Sequence, residues 1–169
     1  MLSEEDYSSI CRRYTLKCPI CEAENTHNRL KRDMVRPVVS GGDGHPIENK
    51  WTLGGYELIN PLEFFWGICG RCHYAGEFES PEYRQAERNL SSYRSKLRPD
   101  AIKTLMEGVS TSRGLAVAIG SRLNDSDPAV ALLAKFYLGV YSHCQQQKII
   151  PGNIARCYLR IGWIFRDLE

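Results

Sequence analysis

Four of the seven cysteines stand at two identical spacings, Cys18-Pro-Ile-Cys21 and Cys69-Gly-Arg-Cys72. A CxxC turn brings two thiolates to one side of the backbone, ~3.5–4 Å apart, and two such turns complete a tetrahedral S4 cage for Zn2+. Thiolate is a soft donor and zinc has no d-electron geometric preference, so the donor set suits it. Four filled positions leave none for water or substrate. The expectation is therefore one structural Zn2+ per chain, held by Cys18, Cys21, Cys69 and Cys72, and no enzyme. The other three cysteines, Cys11, Cys144 and Cys157, make the total odd. An odd total behind an acidic start, MLSEEDYSS, argues against a disulfide framework and against a secretory leader.

Two other chemistries use parts of this pattern. One CxxC pair alone could be a redox dithiol, but that motif needs a βαβ setting, which the sequence lacks. Cys69-Gly-Arg-Cys72-His73 also matches the C-x-x-C-H spacing of covalent haem attachment. That reading leaves Cys18 and Cys21 without a role. His73 is expected beside the zinc, against a sulfur or packed on the sheet, and not as a ligand.

Forty-seven residues separate Cys21 from Cys69, where common modules have ~15–20. The gap must hold its own small sheet. Strand-like runs at 36–39 and 62–68 allow it, with turns at Ser40-Gly-Gly-Asp-Gly, Gly54-Gly55 and Asn60-Pro61. Ahead of the first pair, Ser3-Glu4-Glu5-Asp6 reads as a helix cap, followed by Tyr7, Ile10, Cys11 and Tyr14 at helical spacing. Cys11 is expected in the core.

After Cys72 the period becomes helical. Ser80-Pro81 opens a helix whose apolar stripe is Tyr83, Ala86, Leu90, Tyr93 and Leu97. Arg84, Arg88, Ser91, Ser95 and Arg98 fall on another side as a basic stripe, which is a solvated face or a site for an acidic partner. Pro99 ends this helix. Ile102, Leu105, Met106 and Val109 mark a second, and Leu115, Ala118, Ile119 and Leu123 a third. A fourth follows Asp127-Pro128, with Leu133, Phe136, Tyr137, Val140 and Cys144 inward. A fifth follows Pro151, with Ile154, Cys157, Tyr158, Ile161, Ile164, Phe165 and Leu168 inward. Residues 127–168 thus form a helical hairpin of tetratricopeptide size. The fifth helix carries a second apolar ridge, Ala155, Leu159 and Trp163. A helix apolar on two sides is usually covered on two sides. Either a neighbouring chain covers this ridge, or the natural protein continues past Glu169, or Trp163 simply packs on the preceding helix.

Composition sets the frame. With 43% hydrophobic and 25% charged residues the 169-residue chain is ordinary globular material. The most apolar stretch, 129–140, is broken by Lys135 and Gly139, so no membrane span is expected. The net charge of +2 hides two unlike parts. Residues 1–80 hold 9 basic and 12 acidic side chains, and residues 81–169 hold 13 and 8. The expected class is α+β, with a small β-rich zinc-ribbon module and its N-terminal helix over 1–79. A tetratricopeptide-like antiparallel helical array follows over 80–169.

Lys17-Cys-Pro-Ile-Cys21, Asn60-Pro-Leu62, Cys69-Gly-Arg-Cys-His-Tyr-Ala75 and Leu159-Arg-Ile-Gly-Trp163 together resemble an uncharacterised bacterial family, the domain of unknown function 2225. The resemblance covers most of the chain and implies a CxxC…CxxC ribbon followed by tetratricopeptide-like helices. It also implies Cys18, Cys21, Cys69 and Cys72 as metal ligands, and it implies no reaction. The family often has Gly after the second cysteine of a pair, where this chain has Glu22 and His73.

Three functions compete. The first is a cytoplasmic, non-catalytic scaffold or adaptor whose zinc knits the loop-rich module. Its helices present a groove to a protein or peptide partner, with Arg84, Arg88, Leu159 and Trp163 as candidate contacts, and it could self-associate through the last helix. The second is nucleic-acid binding, using Arg29, Lys31, Arg32 and Arg36 with Trp51 for stacking. The acidic balance of residues 1–80 and the charge of four thiolates oppose it. The third is an enzyme using His27, His45 and His73 with Asp33, Asp43, Glu48 and Glu57, but no catalytic motif appears.

Overall fold

The computed structural model describes residues 4–78 and 80–168. It opens with helix α1, Glu4–Ile10, which runs directly into strand β1, Cys11–Lys17. Ser3, the expected cap, lies outside the described residues. The helical spacing expected to carry on to Tyr14 stops at Ile10 because β1 pairs antiparallel with β2, Glu24–Leu30, along its whole length, from Cys11 opposite Leu30 to Lys17 opposite Glu24. A seven-residue ladder wins over a few more turns of helix, since each backbone group finds a partner. Strands β3, Val35–Ser40, and β4, Pro46–Trp51, form a second hairpin.

Only the end of the expected 62–68 strand is extended. Asn60 caps a 3-10 turn over Pro61–Phe64, its side chain accepting the Leu62 N–H, and β5, Trp66–Ile68, follows. It pairs antiparallel with β6, Ala75–Glu77. Among the described residues the architecture is α+β: one short helix, three two-stranded sheets, then further helices.

The helix expected over 81–97 is broken into α2, Pro81–Arg84, a 3-10 turn over Ala86–Asn89, and α3, Leu90–Arg94. Asn89 leaves helical geometry and its side chain accepts the Ser92 N–H as a new cap. The inward set still works, since Tyr83, Ala86 and Leu97 are buried. Helix α4, Ala101–Thr111, ends on Ser112 at a left-handed φ of 51°. Then come α5, Leu115–Gly120, α6, Pro128–Cys144, and α7, Pro151–Arg166. The last two pack as the expected hairpin. Among the described residues no helix is long and apolar enough to cross a membrane.

Helix α6 is the axis of the molecule. It packs on the β5–β6 ribbon and on the 3-10 turn at 61–64, as well as on α5 and α7. Its buried set is therefore Leu132, Ala134, Phe136, Leu138, Gly139 and Ser142, and the expected Tyr137 points out instead. On α7 the buried set is Cys157, Ile161 and Ile164, while Tyr158, Phe165 and Leu168 are exposed.

The main apolar cluster runs across residue 79. It joins Cys18, Ile20, Trp66, Cys69, Cys72 and Tyr74 to Leu105, Phe136, Cys157 and Ile161. A smaller one gathers Ile10, Cys11, Trp51, Tyr56 and Phe64 under the first two hairpins, so Cys11 is core as expected. Ribbon and helices meet without spare room. A Cβ at Gly139 would lie 2.2 Å from the Trp66 ring, and one at Gly76 2.1 Å from the Tyr83 ring. Trp66 cannot retreat, because Phe65 and Phe136 pack against it at 5.0 and 5.9 Å. Polar clasps cross the same joint. Glu77 Oε1 takes His143 Nε2 at 3.1 Å and Arg156 Nη2 at 3.4 Å.

Two outcomes are expected. Gly139→Ala should lose roughly 1–3 kcal/mol in chemical denaturation, because overpacking forces buried rings off their rotamers. The second concerns pH. Burial pushes the Glu77 carboxyl up, but the His143 hydrogen bond and the Arg156 charge outweigh burial and hold it below its ordinary 4.5. A lowered carboxyl stabilises the fold fully above that ordinary value and loses the contribution as pH falls through the folded one. The melting-temperature gap between wild type and Glu77→Gln should therefore be widest near neutrality and close on acidification.

Candidate metal centre

Each cysteine pair sits on a turn of the same design. In the first, Cys18 N–H donates to Ala23 O at 2.9 Å and Glu22 N–H to Cys18 O at 2.9 Å. In the second, Cys69 N–H donates to Tyr74 O and His73 N–H to Cys69 O, both at 3.0 Å. Ile20 N–H and Arg71 N–H, two residues after each leading cysteine, point at its sulfur at 3.4 Å. Closing these turns needs a left-handed residue directly after the second cysteine. Glu22 has φ 59° and His73 φ 57°, the two positions where the resembled family often has Gly. The turns keep their shape with side chains present, and the backbone N–H···S and N–H···O bonds carry the strain.

The ribbon geometry brings the two turns face to face. Cys18 Sγ lies 3.6 Å from Cys72 Sγ, and Cys21 Sγ 3.5 Å from Cys69 Sγ. All four sulfurs lie within 4.8 Å of one another. A metal–sulfur distance near 2.3 Å implies tetrahedral sulfur edges of about 3.8 Å, so the cluster fits a four-coordinate ion. Among the described residues, these four cysteines are the one set of His, Cys, Asp and Glu close enough to hold an ion. Three of the four are buried.

Electrostatics argues the same way. The hydrogen bond with Cys69, helped by burial, pushes the Cys18 thiol up to about 12. Bonds with Cys18 and Cys69 push Cys72 far above the thiol range, while bonds with Cys18 and Cys72 hold Cys69 far below it. Cys18, Cys69 and Cys72 interact so closely that ionising one raises the cost of ionising the next. A cation at their centre is what allows all of them to ionise together.

Two residues that the sequence analysis did not single out support the turns. Asn25 ties them together: its Nδ2 donates to Ala23 O at 2.7 Å and to Cys69 Sγ at 3.5 Å, and its Oδ1 accepts Gly70 N–H at 2.8 Å. Arg94 reaches over from α3. Its Nε donates to Pro19 O at 2.7 Å, and its Nη2 to Ile20 O and Glu22 Oε1, each at 2.9 Å. The guanidinium thus lies against the backbone of the first turn, where it would offset the negative charge that four thiolates would leave around a divalent ion. An Asn four residues past Cys21 was a legible signal. Arg94 was not, because its 72-residue separation from Glu22 is bridged only by the fold.

The other candidates are dispersed. His73 follows Cys72 directly, and its ring packs on Gly120, where a Cβ would collide with it, with its Nδ1 enclosed and without a hydrogen-bond partner among the described residues. Arg84 is half-buried with its Nε enclosed, and Arg88 is exposed. The break at Asn89 takes them off the helix that carries Arg94, so the basic stripe is not one continuous face. Arg98 is engaged by Asp100 at 2.6 Å. Leu159 is exposed. Trp163 is half-covered by the tip of the β3–β4 hairpin: it stacks on His45 at 5.5 Å, and its Nε1 donates to Asp43 Oδ2 at 3.1 Å. That contact accounts for part of the second ridge. His27 packs on Phe78 and His45 pairs with Asp167 at 2.9 Å, so the histidines and acids of residues 27–57 form no shared site.

These observations define the class: an α+β protein with a four-cysteine centre at the seam between ribbon and helices, suited to a metal ion. Residues 12–169 match the family model of an uncharacterised protein conserved in bacteria, DUF2225, and the chain belongs to that family. No curated protein and no solved structure matches it.

Metal analysis should find one ion per chain, and Cys69→Ser should lose it. Because the sulfurs belong to the main core, the same variant should lower the melting temperature of the whole chain. Arg94→Ala should keep the fold but weaken metal retention about 10–100-fold against a competing chelator, the usual cost of losing an outer partner. Equal retention in Arg94→Ala and wild type would overturn the assigned role.

Proposed function

We propose that the protein is a non-catalytic scaffold or adaptor of the cytoplasm. In this reading the centre holds one structural Zn2+, and the helices bind a protein or peptide partner, a second copy of the chain included. An all-sulfur, four-coordinate donor set supports zinc, and its closed shell supports a structural role. Structural zinc contributes roughly 10–16 kcal/mol in small modules, enough to make the ribbon depend on metal.

The observation that carries the reading is the outer face of α7. Tyr158, Leu159 and Phe165 are 54%, 41% and 51% exposed, and Ala155 and Gly162 lie between them with open space above Gly162. A helix that buries Cys157, Ile161 and Ile164 on one side and shows this apolar stripe on the other matches the stacking pattern of paired helices. Nucleic acid is the weaker alternative. Trp51 is buried against Tyr56 and offers no stacking surface, and Lys31 Nζ is held by the Ser8 and Ser9 carbonyls at 2.8 Å.

A photoreactive amino acid at Gly162 tests the reading in cells. The expected result is cross-linking to a defined protein or to a second copy, abolished by Leu159→Asp and absent from a probe at Lys103. No cross-link at Gly162, or one indifferent to Leu159→Asp, would sink it.

A further inference from the structure

A cavity of about 470 Å3 between β6, the end of α6 and the α2–α3 segment has no part in this reading, and its volume falls within the ~300–1,000 Å3 that hold small ligands. We infer that it is a binding site for a mononucleotide whose base carries an exocyclic amine.

Three features of the lining select this chemistry. The first is an acceptor. The side chains of Glu77 and His143 are each only 11% exposed, and both line the cavity. His143 Nε2 and Arg156 share Glu77 Oε1, while no hydrogen bond engages Oε2 among the described residues. That leaves one carboxylate oxygen of a cavity-lining residue for a ligand N–H. The second feature is flatness. Half-buried Tyr93 lines the cavity, and its hydroxyl is already engaged by the Tyr74 hydroxyl at 3.1 Å. What it offers a ligand is ring surface. The third is charge at the rim. Lys148 lines the mouth with no ion pair among the described residues, and Lys96 stands there held by Glu82 at 2.7 Å.

A carboxylate takes the amine edge of a base, aromatic rings stack on its face, and ammonium groups take phosphate. The three features suit one molecule with an N–H-bearing planar ring and an anionic tail. A simple anion would meet Glu77, and a purely apolar ligand would strand its carboxylate.

Isothermal titration of the metal-loaded full chain provides the test, with AMP, GMP, CMP, UMP, adenosine and inorganic phosphate as probes. The expected result is saturable binding of at least one of AMP, GMP and CMP, with UMP, adenosine and phosphate each weaker by about tenfold or more. Lys148→Ala, a surface change, should bring that nucleotide down to the affinity of its nucleoside. Glu77→Gln should erase the preference over UMP, its fold checked by circular dichroism; if it misfolds, the Lys148→Ala result decides alone. Silence of all three amine-bearing nucleotides at roughly millimolar concentration would overturn the inference. So would phosphate binding as tightly as a nucleotide, or binding indifferent to Lys148→Ala. None of these outcomes bears on cross-linking at Gly162, so the scaffold reading fails or stands separately.

Discussion

Four thiols forced within 4.8 Å of one another are the constraint on which the structure turns. Left to themselves they oppose one another's ionisation, Cys18 and Cys72 being pushed up while Cys69 is held down. A cation between them would cross-link the two turns across the 47 residues that separate Cys21 from Cys69. That stretch holds one complete hairpin, β3–β4, and one strand of each of the other two. A two-stranded hairpin is marginal alone. The ribbon stands because its ends are tied at the sulfur cluster and its apolar residues are lent to the helices.

The seam shows how that lending works. Trp66 fits only because position 139 is glycine, and Tyr83 only because position 76 is glycine. Arg94 closes the seam from the helical side by holding the first cysteine turn through its carbonyls. Sulfur centre, aromatic seam and arginine clasp are therefore one assembly, although the sequence suggests a zinc module and a helical array meeting near residue 80. The two parts differ in secondary structure and charge, and they share a core.

Surface features sort by what this assembly leaves over. The tip of the β3–β4 hairpin swings across to α7 and covers Trp163 with His45 and Asp43. Tyr158, Leu159 and Phe165 stay exposed. The apolar stripe on α7 is thus what remains after the chain has used its own loops, and the Glu77–His143 cavity is a gap where ribbon and helices diverge.

The sequence by itself determined which four cysteines come together, the α+β order of elements and the terminal helical hairpin. Each rests on local spacing: i and i+3 cysteines in a turn, apolar periods of 3.6, and proline at helix starts. It misjudged what depends on distant partners. The first helix yields to β1 because β2 lies alongside it. Tyr137 faces out because α6 is packed from several sides at once. Tyr158 and Phe165 face out because the buried face of α7 is only as wide as α6 and its neighbours require. Tertiary structure alone decided that Arg94 meets the cysteine turn, that Trp163 meets a hairpin tip, and that Glu77 and His143 share a cavity. These are contacts between residues 66 to 120 positions apart in the chain, and no local period encodes a distance that only folding closes.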